Sequence, residues 1–193
     1  MSIRTSGSDS RVAPTAVIGL GNPLMGDDGF GIAALERLRA TWVMPTEVDL
    51  IDGGTWGLSL LPVIEDAGRV LLIDAIDVGA AAGTEVALER DELPRYLATR
   101  LSPHEIDLRD VLALAELRGR LPAQLVAVGV QPGRVELVEG MTAPVLERLD
   151  AVVQRVGSIL LSWGCQCHPE PSVPTGRDAH RSISYGLRTT WLR

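Results

Sequence analysis

Ala16-Val17-Ile18-Gly19-Leu20-Gly21-Asn22-Pro23-Leu24-Met25-Gly26-Asp27-Asp28-Gly29-Phe30-Gly31 decides the fold of this chain. The run Ala16 to Leu20 is apolar without alternation, as a strand buried on both faces is. A glycine-rich loop follows. Ile32, Leu35 and Leu38 then recur at helical spacing. Strand, glycine loop and helix in this order open a layered α/β domain.

The same grammar repeats downstream. Glu47 to Asp52 alternates like a strand and is broken by Gly53-Gly54, and Leu58, Leu61 and Ile64 mark a short helix containing Pro62. Arg69 to Asp74 reads as a third strand, continuous in apolar residues. Thr84 to Glu89 alternates and reads as a fourth, at an edge. Ser102-Pro103-His104-Glu105 has the form of a capping box. It predicts a helix through Val111, Leu114 and Leu117 to Gly119. Gln124 to Val130 is the fifth strand. A last helix is expected from Thr142, with Val145, Leu149, Val152, Val156 and Ile159 on one face. The expected architecture is a three-layer α/β domain, with a twisted, mainly parallel five-stranded sheet between helices.

Residues 1–14 are polar and read as a flexible lead-in. Residues 15–163 form the expected single domain. Beyond Trp163, prolines and Gly176 interrupt the chain, and 164–193 reads as a mobile tail. Residues 1–163 together hold 14 of the 18 Arg and 23 of the 25 acidic residues, a balance of −9 against +2 for the tail. There is no Lys.

At 193 residues and 46% hydrophobic content, the chain can bury a sizeable core. Only 4% is aromatic, so Val, Leu, Ile and Ala must build it. A net charge of −7 argues against a nucleic-acid partner. No apolar stretch is long enough to span a bilayer and no signal core opens the chain, so a cytoplasmic protein without a membrane partner is expected. Cys165 and Cys167 do not call for an oxidising compartment.

Two carboxylates and an imidazole stand out: Asp28 after the glycine loop, Asp74 at the end of the third strand, and His104 at a helix start. Such a set suits a divalent metal. A helix N-terminus disfavours imidazolium and keeps His104 able to bind one. Plainer readings exist for each. Asp27 or Asp28 can cap the first helix. Asp74 can accept hydrogen bonds from loop amides, and Asp52 can do the same with Gly53-Gly54. His104 can be an exposed first-turn residue. His104-Glu105 does not continue into a zincin motif, because position 108 is Leu. The glycine loop is a partial dinucleotide fingerprint with Leu24 at the third glycine position, so no tightly bound organic cofactor is expected. Cys165-Gln166-Cys167-His168 is tight for a tetrahedral site and has no second pair. No Gly-x-Ser-x-Gly nucleophile elbow occurs.

Gly19 to Gly31, Asp52-Gly53-Gly54-Thr55-Trp56-Gly57, Ile73-Asp74-Ala75 and Ser102-Pro103-His104, in this order and spacing, resemble the hydrogenase maturation proteases, over Val17 to about Trp163. The resemblance implies an endopeptidase, with aspartyl chemistry, that removes the C-terminal extension of a nickel–iron hydrogenase large-subunit precursor after nickel insertion. The family's metal-binding positions fall on Asp28, Asp74 and His104. Asp28 and Asp74 are the implied catalytic pair, and Asp52, Gly53 and Gly54 are the expected substrate-binding segment. Nickel would arrive with the nickel-loaded precursor, and the protein is expected to act as a monomer. A non-enzymatic nickel checkpoint or carrier would use the same ligands. Gly19 to Pro23 also opens peptidyl-tRNA hydrolases, but the histidine those enzymes carry soon after it is missing here.

Overall fold

The first strand, β1 (Thr15–Leu20), is buried along its whole length, as its unbroken apolar run requires. It is an inner strand, next to the edge, of a five-stranded sheet in a computed structural model that describes residues 14–55, 57–93 and 108–171. After α1 (Phe30–Thr41) and the two-residue β2 (Trp42–Val43) comes β3 (Val48–Gly54), parallel to β1. The chain then passes through α2 (Leu61–Asp66) to β4 (Arg69–Ala75), which pairs with the other side of β1, also in parallel. β5 (Glu85–Glu89) is antiparallel at the far edge. α3 (Leu108–Leu117) precedes β6 (Gln124–Val130), which sits between β4 and β5. The sheet order is β3-β1-β4-β6-β5. The three-layer, mainly parallel fold expected from the sequence is the fold observed, with the alternating strand at an edge.

Each sheet face carries its own core. Val17, Leu71, Ile73, Val126 and Val128 pack against Phe30, Leu35 and Leu38 of α1 and Val152, Val156 and Leu160 of α5 (Leu149–Ser162). Ile18, Val70, Leu72 and Leu125 meet Leu61 and Ile64 of α2 and Val111, Leu112 and Ala115 of α3 on the other face. The anticipated last helix is divided: a single turn, α4 (Ala143–Leu146), precedes α5. The Ser102-Pro103-His104-Glu105 capping box lies outside the described residues.

The body runs past the boundary expected at Trp163. Cys165 and Cys167 are buried in the α1–α5 core. Arg69 donates to the Trp163 carbonyl. His168–Pro169 forms a strand, β7, antiparallel to β2, with Trp42 opposite Pro169 and Val43 opposite His168. Glu170 N donates to Thr41 O at 2.7 Å. Residues 164–171 therefore belong to the folded body. Apolar thiols and a two-residue ribbon carry no sequence periodicity, and so the prolines beyond Trp163 dominate a reading from sequence.

Candidate active site at the switch point

The strand order reverses at β1. The chain leaves β1 toward β3 on one side and leaves β4 toward β6 on the other. The crevice between the carboxyl ends of β1 and β4 is thus the topological switch point, where open α/β sheets bind ligands. Asp28 lies in the 3₁₀ turn Gly26–Gly29 that follows the β1 loop, and Asp74 is the penultimate residue of β4.

Close backbone approach holds these two segments together. A Cβ on Gly31 would stand 2.2 Å from the Ile73 carbonyl oxygen and 2.4 Å from that of Leu20, so only glycine lets the start of α1 seat on both strand ends. Gly21 has φ +109°, and a Cβ there would stand 1.8 Å from the Asp28 carbonyl oxygen. The loop folds over Asp28, whose Oδ2 accepts from Asn22 N at 2.8 Å. Asp74 Oδ1 accepts from Ala75 N at 2.8 Å. Both carboxylates are partly exposed.

The two adjacent acids divide their work, and neither caps α1. The N-cap position is Gly29, without a side-chain cap bond. Asp27 is fully buried and accepts from Gly133 N (2.8 Å), Arg134 N (2.8 Å), Thr142 N (2.6 Å) and Thr142 Oγ1 (2.9 Å). Burial alone would raise its pKa. The amides of Thr142, Gly133 and Arg134 and the Thr142 hydroxyl outweigh burial and hold the carboxyl below its ordinary range. Asp27 thereby ties the β6–α4 loop to the β1 loop, and Asp28 is left at the crevice.

Asp52 lies near the end of β3, and its side chain is bonded as its plainer reading anticipates: Oδ1 accepts from Gly54 N at 3.0 Å. The register slips here, with Gly19 opposite Asp52 and Leu20 opposite Gly54. A Cβ on Gly53 would press on Ile18 and Leu20 at 2.6 and 2.9 Å. Gly54 O accepts from Gly21 N at 3.0 Å, which joins this bulge to the glycine loop. His104 lies outside the described residues. Among those described, no group of three His, Cys, Asp or Glu gathers to hold a metal. Cys167 is pushed up by burial and by the neighbouring Cys165, which makes it an inert packing thiol.

Gln131 escapes a reading from sequence. It is 5% exposed; its Oε1 accepts from Val78 N (2.8 Å) and Ala80 N (3.1 Å), and its Nε2 donates to Asp77 Oδ1 (2.8 Å). It fixes the loop after β4, beside Asp74. The available signal was a lone amide closing the apolar run of β6.

Fold and edge together define an α/β protein that presents acids at its switch point. Residues 32–159 match the model of a family described as hydrogenase maturation protease. The hydrogenase expression/formation protein HupD of Rhodobacter capsulatus is 37% identical over 78% of this chain and 72% of its own. The hydrogenase 2 maturation protease of Escherichia coli is 31% identical over 81% of this chain and 96% of its own. The solved hydrogenase-maturating endopeptidase HybD of E. coli superposes with a TM-score of 0.76, covering 81% of this chain and 97% of that one at 31% identity. The chain belongs to the hydrogenase maturation protease family. It is a hydrolase, an endopeptidase of hydrogenase maturation.

Proposed function

We propose that the cut is gated by nickel carried in the substrate, with Asp28, Asp74 and His104 engaging the ion. The activity itself, removal of the C-terminal extension from a hydrogenase large-subunit precursor, follows from family membership. The observation that supports the site is the position of Asp28, in the turn after the β1 loop, and Asp74, at the carboxyl end of β4, on the two segments that flank the switch point. Carboxylate donors with a neutral imidazole suit a divalent ion, and three protein ligands leave positions open for the precursor's own.

Hydrolysis in this reading uses water directly. Nickel held between enzyme and precursor positions the scissile peptide and can polarise its carbonyl. Asp28 or Asp74 takes a proton from the attacking water and returns it to the leaving amine. Asp52, Gly53 and Gly54 line the approach of the extension from the β3 side. The reading includes a cytoplasmic monomer with no nucleic-acid or membrane partner; no helix among the described residues is long and apolar enough to cross a membrane.

The test is incubation with precursor prepared with and without nickel. The nickel-loaded form should be shortened and the nickel-free form should survive. Equal cleavage of both removes nickel as the gate. His104→Ala should abolish nickel-dependent cleavage with little change in thermal stability; full activity in that variant removes His104 from the site.

A further inference from the structure

Two loops at the acid edge carry large apolar side chains into solvent. Leu24 is 55% exposed, Val135 52% and Leu137 82%. Scattered surface leucines are ordinary, but these sit on backbone that is firmly tied. Val138 N donates to Leu24 O and Gly26 N donates to Val138 O, both at 3.0 Å, around a bridge between Met25 and Val138. Leu24 N donates to Asn22 Oδ1 at 3.0 Å, while Asn22 N donates to Asp28 Oδ2 at 2.8 Å. One asparagine thus joins the leucine's amide to the carboxylate of the crevice. Leu24, Leu137, Val138 and Glu139 line a hollow of about 270 Å³.

We infer that this hollow seats an apolar side chain of the large-subunit precursor next to the peptide that is cut. The shelf flanks the crevice, to whose Asp28 it is tied through Asn22. Glu139 lines it, and Glu136, next to Leu137 in the chain, lies 3.6 Å from Arg134. The rim repels an acidic segment and accepts an apolar one without acids. Leu24 and Leu137 are then specificity-determining residues for the established reaction. The inference rests on Asp28 being in the active site.

Steady-state cleavage of nickel-loaded precursor by the full chain tests it. Leu24→Ser/Leu137→Ser should raise KM about tenfold, equivalent to about 1.4 kcal/mol, with kcat and melting temperature close to wild type. Each single variant should give part of the rise. Leu117→Ser, at an equally exposed leucine on α3, should change nothing. An unchanged KM in the double variant, with Asp28→Asn inactive, overturns the shelf and keeps the acid site. Asp28→Asn cutting normally overturns the site on which the shelf depends. A rise of the same size in Leu117→Ser, or a wild-type dimer that the double variant dissociates in light scattering, also overturns the shelf as a precursor seat.

Discussion

Asp27 and Asp28 are chemically the same side chain, and the structure gives them opposite duties. The sequence offers no way to choose between them, because the partners of Asp27 lie more than 100 residues away, at Gly133, Arg134 and Thr142. Asp27→Asn leaves one or more buried donors short of an acceptor. It should destabilise the protein by about 1–3 kcal/mol, read as a lower midpoint in urea unfolding. Asp28→Asn should keep that midpoint and lose precursor cleavage. The low folded-state pKa of Asp27 sets a sign for acid behaviour. Its contribution is present above the pKa of an unfolded Asp, about 3.9. It is lost as pH falls through the lower folded value. Unfolding of wild type between about pH 5 and pH 2 should therefore show a stability loss that Asp27→Asn lacks. The same loss in both proteins assigns it to other carboxylates.

At the scale of elements, legibility followed burial. β1, β4 and β6 are apolar on both faces and declare themselves as central strands, and the alternation of β5 gave its edge position. The placing of Asp74 near the end of β4 and of Asp28 beyond the loop after β1 was equally readable, because each follows an apolar run directly or across one glycine loop. What escaped reading has long-range causes. β2 and β7 exist only because each finds the other, and Gln131 shows its role only once the β4–β5 loop is in place. Where α5 meets β2, Gly157 makes a tight contact. A Cβ there would stand 2.1 Å from the Trp42 ring, against which α5 lies. Gly157→Ala should overpack the α1–α5 layer and cost about 1–3 kcal/mol, despite the helix propensity gained. A thermal midpoint at or above wild type would show that Trp42 can move aside.

For the whole molecule, the β2–β7 ribbon and the buried Cys165 and Cys167 set a limit on truncation. Ending the chain after Pro171 should leave folding and cleavage intact. Ending it after Trp163 removes Cys165, Cys167 and β7, leaving β2 without its strand partner. That shorter form should melt several degrees lower and exchange the amides of β2 freely in hydrogen-exchange measurements. Identical melting of the two truncated forms would mean that residues 164–171 add nothing.

The ribbon also fixes an order of events during synthesis. Trp42 and Val43 leave the ribosome well before His168 and Pro169, the residues that pair with them. Thr15, at the head of β1, waits still longer for Cys165, 150 positions on. At translation rates of about 5–20 residues per second, the interval between the two halves of the ribbon is roughly 6–25 s. Throughout it a tryptophan and an unpaired strand stand open on the nascent chain, as a site where a holding chaperone can engage and a stalled ribosome leaves an aggregation-prone product.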